Sequence, residues 1–304
     1  MRYYSFSSYC KKEFGKKLYR VALDAGFTCP NRDGTLDTRG CIFCGKRGSG
    51  DFAISFSGQK LKKEDLVFNH DEGDIGDYIA YFQSYSNTYG SIDKLRRLYE
   101  AALDNPLFVG IDIATRADCI NDDVIDLLKE LKEKYPNKFI WIELGLQTIN
   151  DKSAKWMRRG YKLDIFDEAI KKLKEINIPI IVHIILGLPC DNKEDILACI
   201  DYLNVKDING IKIHLLHYLK DTDLGKEYLS GTKYKVLEEN EYIDLVVSCI
   251  ARIKKEIVIH RLTGDGSKED LIAPLWSRDK RHVINMINHE LKVRNIIQGC
   301  EYEE

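Results

Sequence analysis

Residues 178–188, IPIIVHIILGL, carry a single polar side chain, His183. A strand with one face in water alternates apolar and polar residues, so this run has to be covered on both faces. It is the most apolar of six β-rich runs, at 18–27, 77–84, 107–115, 139–147, 178–188 and 210–216, and helical patterns separate them. In NDDVIDLLKELKEKY, Val124, Leu127, Leu128 and Leu131 fall at i, i+3, i+4 and i+7 behind Asn121 as N-cap. In DNKEDILACIDYL, Asp191 and Glu194 have the spacing of a capping box ahead of Ile196, Ile200 and Leu203. Six β-then-α units imply a parallel sheet with right-handed crossovers. The expected fold class is therefore α/β, a partial (βα)6 TIM-type barrel, with a doubly wound sheet as the other arrangement the pattern allows. An arm over residues 1–17 precedes the barrel at 18–216, and an α/β extension over 217–304 packs on it, with 279–297 as an amphipathic docking helix.

A chain of 304 residues, 44% apolar and 31% charged, can bury a full core without disulfide staples. The N-terminus lacks the apolar stretch of a signal peptide, and no apolar run is long enough to span a bilayer, so the expectation is a cytoplasmic protein with no membrane partner. Nine cysteines, an odd number, fit reduced thiols plus a metal site. The net charge of −2 hides an asymmetry: residues 1–63 hold 13 Lys+Arg against 5 Asp+Glu, and the rest 33 against 43. Basic residues interleaved with Tyr3, Tyr4, Phe6, Tyr9, Phe14 and Tyr19 suit phosphates and stacked bases. The same pattern also suits a solvated face whose aromatics cap a barrel end.

In a parallel barrel the chemistry sits at the C-terminal strand ends. After the first run comes FTCPNRDGTLDTRGCIFCG, in which Cys29 and Cys41 are separated by eleven residues and Cys41 and Cys44 by two. The second spacing lets two thiolates of one turn bind a common metal centre. A zinc site would be closed by a fourth ligand, and His70 is the nearest histidine in sequence. A [4Fe–4S] cluster normally takes four cysteines, so three leave one iron open to another ligand. The other cysteines, at 10, 119, 190, 199, 249 and 300, form no second such group, and no auxiliary cluster is expected.

The C-x11-C-x2-C loop, with Phe43 before its last cysteine, resembles the radical S-adenosylmethionine (radical SAM) superfamily. More narrowly, DAGFTCPNRDG…GCIFC, YFQSYSNTY, ELGLQTIN, IHRLTGDG and LIAPLW resemble the YhcC/YtqA-like branch, related to the Elongator catalytic subunit. The resemblance spans essentially the whole chain. It implies a [4Fe–4S] cluster on Cys29, Cys41 and Cys44, with S-adenosylmethionine on the open iron as source of a 5′-deoxyadenosyl radical. An external one-electron donor of flavodoxin or ferredoxin type is implied as partner.

The resemblance also implies cofactor contacts from Phe43, Thr115, Arg116, Gln147, Arg159, His183 and Gly187. Arginine suits the methionyl carboxylate because its fork donates two parallel hydrogen bonds. Many superfamily members carry Gly-Gly-Glu after the second strand. This chain has YFQSYSNTY, leaving Gln83 and Ser84 as substitutes. For Arg116 a salt bridge, and for His183 a core hydrogen bond, are the plainer roles. Glu143 lies inside its strand as a barrel-lining or paired carboxylate. In the C-terminal third, Lys212, His214, His217, His260, Arg261, Asp265, Trp276 and Lys280 suit a phosphate-bearing substrate, with Trp276 as a stacking platform. By the resemblance that substrate is a tRNA, modified at the wobble uridine side chain and gripped by the arm. A small metabolite is the rival substrate, and a non-catalytic metal-stabilised nucleic-acid-binding protein is the rival class.

Overall fold

The computed structural model describes residues 2–48, 50, 52–66, 77–264 and 268–302. His70 and Asp265 lie outside the described residues. All six β-rich runs form strands: β1 (Leu18–Asp24), β3 (Asp77–Phe82), β4 (Phe108–Thr115), β5 (Phe139–Gln147), β6 (Ile180–Leu186) and β7 (Gly210–Leu215). With the short strands β2 (Ile54–Ser55) and β9 (Val258–Arg261) they make one parallel sheet in the order β2-β1-β3-β4-β5-β6-β7-β9. β1 and β9 lie at opposite sides of that order, yet Arg20 of β1 hydrogen-bonds His260 of β9 at 2.7 Å. Such a contact requires the sheet to curl round on itself, which selects the barrel over the doubly wound sheet.

Between most strands, amphipathic helices cover the outside: α2 (Ile92–Asp104), α3 (Asp122–Lys134), α5 (Leu163–Glu175), which follows the short α4 (Asp151–Trp156), and α6 (Lys193–Val205). In α3 the expected face is buried, and the Asn121 side chain caps the Val124 N–H at 2.9 Å. The capping box of α6 is one residue later than the sequence pattern suggested. Asn192 and Asp195 exchange the two bonds, at 2.8 and 3.0 Å, and Asp191 instead accepts from Ser153. Both pairs have box spacing, and the tertiary bond to Ser153 takes Asp191 out of the competition.

Helix α1 (Phe6–Phe14) carries the N-terminal aromatics. Phe6, Tyr9 and Phe14 surround Trp141, at ring separations of 6.1, 5.9 and 6.5 Å, and pack with Cys10, Leu18, Ile79 and Ile181. Apart from Cys10 of α1 itself, those partners come from the N-terminal halves of the strands. The arm therefore plugs the bottom of the barrel, and Tyr4 O accepts from Ile259 N at 2.8 Å along the β9 edge. Of the two roles that the arm's composition suited, gripping nucleic acid or capping a barrel end, its rings take the second.

Beyond β7 the chain adds β8 (Tyr218–Leu219) paired antiparallel with β10 (Leu271–Ala273), then α7 (Asp223–Leu229), α8 (Glu239–Arg252) and α9 (Lys280–Val293). Val283, Ile287 and Leu291 of α9, four residues apart, bury one face of the expected docking helix. Among the described residues no helix is long and apolar enough to cross a membrane.

Candidate active site

At the C-terminal strand ends a cavity of about 280 Å³ opens, lined by the cysteine loop on one side and by all six main strands or the loops after them. The loop is fixed by short polar contacts. Cys44 N donates to Cys41 O at 3.0 Å, closing the turn that presents both thiols. Asn31 Nδ2 donates to Arg158 O at 2.7 Å and reaches Cys41 Sγ at 3.4 Å. The Arg32 guanidinium holds the carbonyls of Cys44 and Gly45 at 2.7 and 2.8 Å. Three glycines are needed for close approach: a Cβ on Gly45 would meet Asp221, on Gly48 the Tyr85 ring, and on Gly50 the Ser84 hydroxyl.

Cys29, Cys41 and Cys44 are free thiols that line the cavity. Burial pushes Cys41 up to about 12, with Cys44 adding to that and Arg116 opposing it, and burial also raises Cys44. Among the described residues no three His, Cys, Asp or Glu side chains converge on one ion. A four-iron cluster asks for something different, one thiolate on each of several irons.

In the segment packed against the loop, Arg159 is 2% exposed. Its guanidinium donates to Thr148 O at 2.7 Å, Leu146 O at 3.2 Å and Tyr161 O at 3.1 Å. The remaining nitrogen, Nη2, is buried without a partner on a residue that lines the cavity. An unsatisfied buried donor of this kind is costly and marks where an acceptor belongs. Gln147 has a left-handed backbone, φ 65°, and folds back over Gly145. Its amide nitrogen, assigned by the hydrogen-bond pattern, faces the carbonyls of Gly145 and Leu146 at 3.1 and 3.0 Å. Arg116 makes a two-pronged pair with Asp118 at 2.8 and 2.6 Å and holds Arg159 O at 2.7 Å. Its salt bridge is thus real, and it also braces the arginine beside it.

The cavity floor is a charged layer in the middle of the barrel. Glu143 Oε2 accepts from Lys212 Nζ at 2.5 Å, from Tyr81 OH at 2.7 Å and pairs with His183 Nε2 at 2.8 Å. Arg20 binds Asp112 at 2.7 Å and lies 3.5 Å from Glu143 Oε1. Burial would raise Glu143, but Lys212, His183 and Arg20 outweigh it and hold the carboxyl well below its ordinary range. Burial lowers His183 and, with the neighbouring cations, drives His214 and His260 well below 6.5. The floor is a neutral-histidine, ion-paired surface at neutral pH.

Seven of the nine residues expected at the cofactor line this cavity: Phe43, Gln83, Thr115, Arg116, Gln147, Arg159 and His183. Ser84 lies under Gly50, and Gly187 turns toward Leu237 and Leu216; neither lines it. Of the residues assigned to substrate, His214, His217 and Arg261 line the cavity and Lys212 lies below it as partner of Glu143. Trp276 is no stacking platform: its ring packs on Tyr242 and its Nε1 donates to Leu237 O at 3.0 Å. Sequence reading passed over Arg20, Tyr81, Asp112, Asn31 and Arg32. For Arg20 and Asp112 the signal was present, a lone charge inside an otherwise apolar strand.

The radical SAM superfamily model matches residues 38–203, and the radical SAM C-terminal domain model matches residues 208–293. This chain belongs to the radical SAM superfamily. It is 40% identical to YtqA of Bacillus subtilis over 98% of its own length and 92% of that protein, and 30% identical to YhcC of Escherichia coli over 88% and 85%. Elongator complex protein 3 of Drosophila melanogaster is 25% identical over 57% of this chain and 30% of that protein. Among solved structures, archaeal Elp3 of Methanocaldococcus infernus superposes with a TM-score of 0.61 at 15% identity, over 73% of this chain and 55% of that one. As a radical SAM enzyme the protein uses a [4Fe–4S] cluster and S-adenosylmethionine. The residues present fit that pair, with three free thiols and a partnerless guanidinium nitrogen on residues that line one cavity.

Proposed function

We propose that this protein is a cytoplasmic radical SAM enzyme that modifies the wobble uridine side chain of tRNA, with Cys29, Cys41 and Cys44 holding the cluster. What carries the site assignment is the shared cavity of the three free thiols and the buried, unpartnered Arg159 Nη2. Bound together, the cluster and S-adenosylmethionine supply one-electron cleavage of a carbon–sulfur bond, giving a 5′-deoxyadenosyl radical that takes a hydrogen atom from an unactivated C–H bond. An external flavodoxin- or ferredoxin-type protein provides the electron.

The protein's own residues do the positioning. Arg159 offers Nη2 to the methionyl carboxylate, a charge-assisted bond in a dry site. Arg116, tied to both Asp118 and Arg159 O, keeps that segment from moving. Gln147 and Thr115 present polar groups to ribose, and Phe43 covers the loop side. His183, neutral and tied to Glu143, edges the substrate end of the cavity with His214 and Arg261.

The tRNA reading draws on the resemblance to the Elongator branch and on Arg261 at the substrate end, and no longer on the N-terminal arm. Anaerobic reconstitution followed by iron, sulfide and zinc assay, then dithionite and S-adenosylmethionine, tests the enzyme. The expected result is 5′-deoxyadenosine from the native protein and none from Cys41→Ala. Zinc without iron, or a cluster that leaves S-adenosylmethionine intact, would overturn it.

A further inference from the structure

A second cleft, of about 420 Å³, is lined by Lys268, Arg278, Asp279, Lys280, Arg281 and Ile284, with Asn285. Four of these carry positive charge and one negative. The one carboxylate is committed, since Asp279 Oδ1 accepts His282 N at 2.9 Å to cap α9. Lys268, Arg278 and Arg281 are exposed. Arg278 is anchored through Nη2 to Leu271 O at 3.0 Å, which fixes its guanidinium at the cleft wall.

The first turn of α9 has no acidic residue; it carries Lys280 and Arg281 instead. Helix starts favour negative charge, because the unpaired N–H groups there are the positive end of the helix dipole. Asp279 at the N-cap supplies that charge, and Lys280 and Arg281 follow it. The surrounding sequence sharpens the contrast: residues 64–304 hold 43 Asp+Glu against 33 Lys+Arg, so this is a cationic island in an acidic body.

Cleft and active-site cavity are lined by adjoining stretches of the chain. Asp270 lines the cavity and Lys268, two residues earlier, lines the cleft. From the turn at Leu275–Arg278, Ser277 Oγ meets cavity residue His217 Nε2 at 3.2 Å while Arg278 lines the cleft. The two sites are thus close enough for one extended polyanionic ligand to reach both.

We propose that this cleft binds the phosphodiester backbone of the RNA strand adjoining the nucleotide held in the cavity, so that α9 and the 268–281 segment, rather than the N-terminal arm, grip the substrate. The inference rests on the tRNA reading above. It deepens that reading by naming the surface that does the gripping. Single-stranded loops with unstacked bases present such phosphates beside an extruded base. Contacts of this kind supply affinity and register without reading sequence.

The test is binding of unfractionated tRNA to the cluster-loaded protein across a salt series, read as the slope of log affinity against log salt. Replacing two phosphate contacts, in Lys268→Ser/Arg281→Ser, should weaken binding about tenfold near 0.1 M salt and reduce the slope by about 1.4. Lys268→Arg/Arg281→Lys should restore both, and the single Lys268→Ser should fall between. Unchanged iron content and melting temperature show that the variants are folded. Native binding that the double variant matches in affinity and slope overturns the cleft while sparing the tRNA reading. No salt-dependent tRNA binding by the native protein removes both. Intact tRNA binding with slowed reduction by an acidic electron-transfer protein would assign the cleft to the donor instead and also overturn the proposal.

Discussion

Glu143 is the residue on which most of the barrel interior depends. Its carboxylate is 1% exposed and faces Lys212, His183, Tyr81 and Arg20 at once. Removing one partner of a buried ion pair leaves the other charge uncompensated, which typically costs about 3–5 kcal/mol. Glu143→Gln should therefore lower the urea midpoint sharply, whereas Tyr81→Phe, which removes one of several donors, should cost only about 1–3 kcal/mol. Equal losses in the two variants would mean that the charge is not what holds the layer. Arg159 makes a second prediction at this scale. Three of its contacts are to backbone carbonyls and one nitrogen is left over, so Arg159→Lys cannot both brace the loop and reach a carboxylate. The dissociation constant for S-adenosylmethionine should rise at least about tenfold, as loss of a charge-assisted bond of about 1.5–3 kcal/mol requires. Cluster content should stay the same. An unchanged constant would place the carboxylate elsewhere.

Helix α1 and strand β5 show how far an element can be judged from its own residues. Trp141 is 3% exposed under Phe6, Tyr9, Phe14 and Phe139. Trp141→Ala should cost about 3–5 kcal/mol, measured by urea unfolding, because the plug then closes on a void. Conversely, Lys11→Glu/Lys12→Glu, on the plug at the far end from the cavity, should leave tRNA affinity as it was; a loss of tenfold would return the arm to the binding surface. In sequence the arm's aromatic and basic interleaving fitted either role, since residue type says nothing of which barrel end a segment meets. The strands were legible because a fully covered strand has to be apolar throughout, as 180–186 is apart from His183. Strand β2, two residues long, and β9 were not, having too few residues to show a period. The cysteine loop was legible because its chemistry requires fixed spacing. Its braces, Asn31 and Arg32, were not, because an Asn or Arg in a polar loop has the same local appearance whether or not it holds a carbonyl.

Across the whole molecule the buried titratable groups set a pH response that no single strand reveals. His183, His214 and His260 sit in the barrel with pKa values lowered by burial, and by nearby Arg20, Lys212 or Arg261. Folded, they stay neutral where the unfolded chain, titrating near 6.5, takes up protons. Their contribution to stability is therefore complete above about pH 6.5 and is lost as pH falls below it. Asp112 acts in the opposite sense. Burial and the charge of Glu143 raise it to about 7, so the folded state keeps a proton that the unfolded chain releases above its ordinary value of 3.8. Three lowered histidines outnumber the one raised carboxyl, so stability falls as pH drops through the histidine window. Urea unfolding at a series of pH values from neutral downward should show that fall. His214→Phe keeps a ring against His183, which His214 faces at 5.0 Å, but removes one titrating site, so its slope should be shallower by about 1.4 kcal/mol per pH unit. The same slope in the variant would show that His214 takes up its proton in the folded barrel. The floor would then carry a positive charge against the cavity at mildly acid pH, and substrate affinity, not stability, would be the quantity that moved.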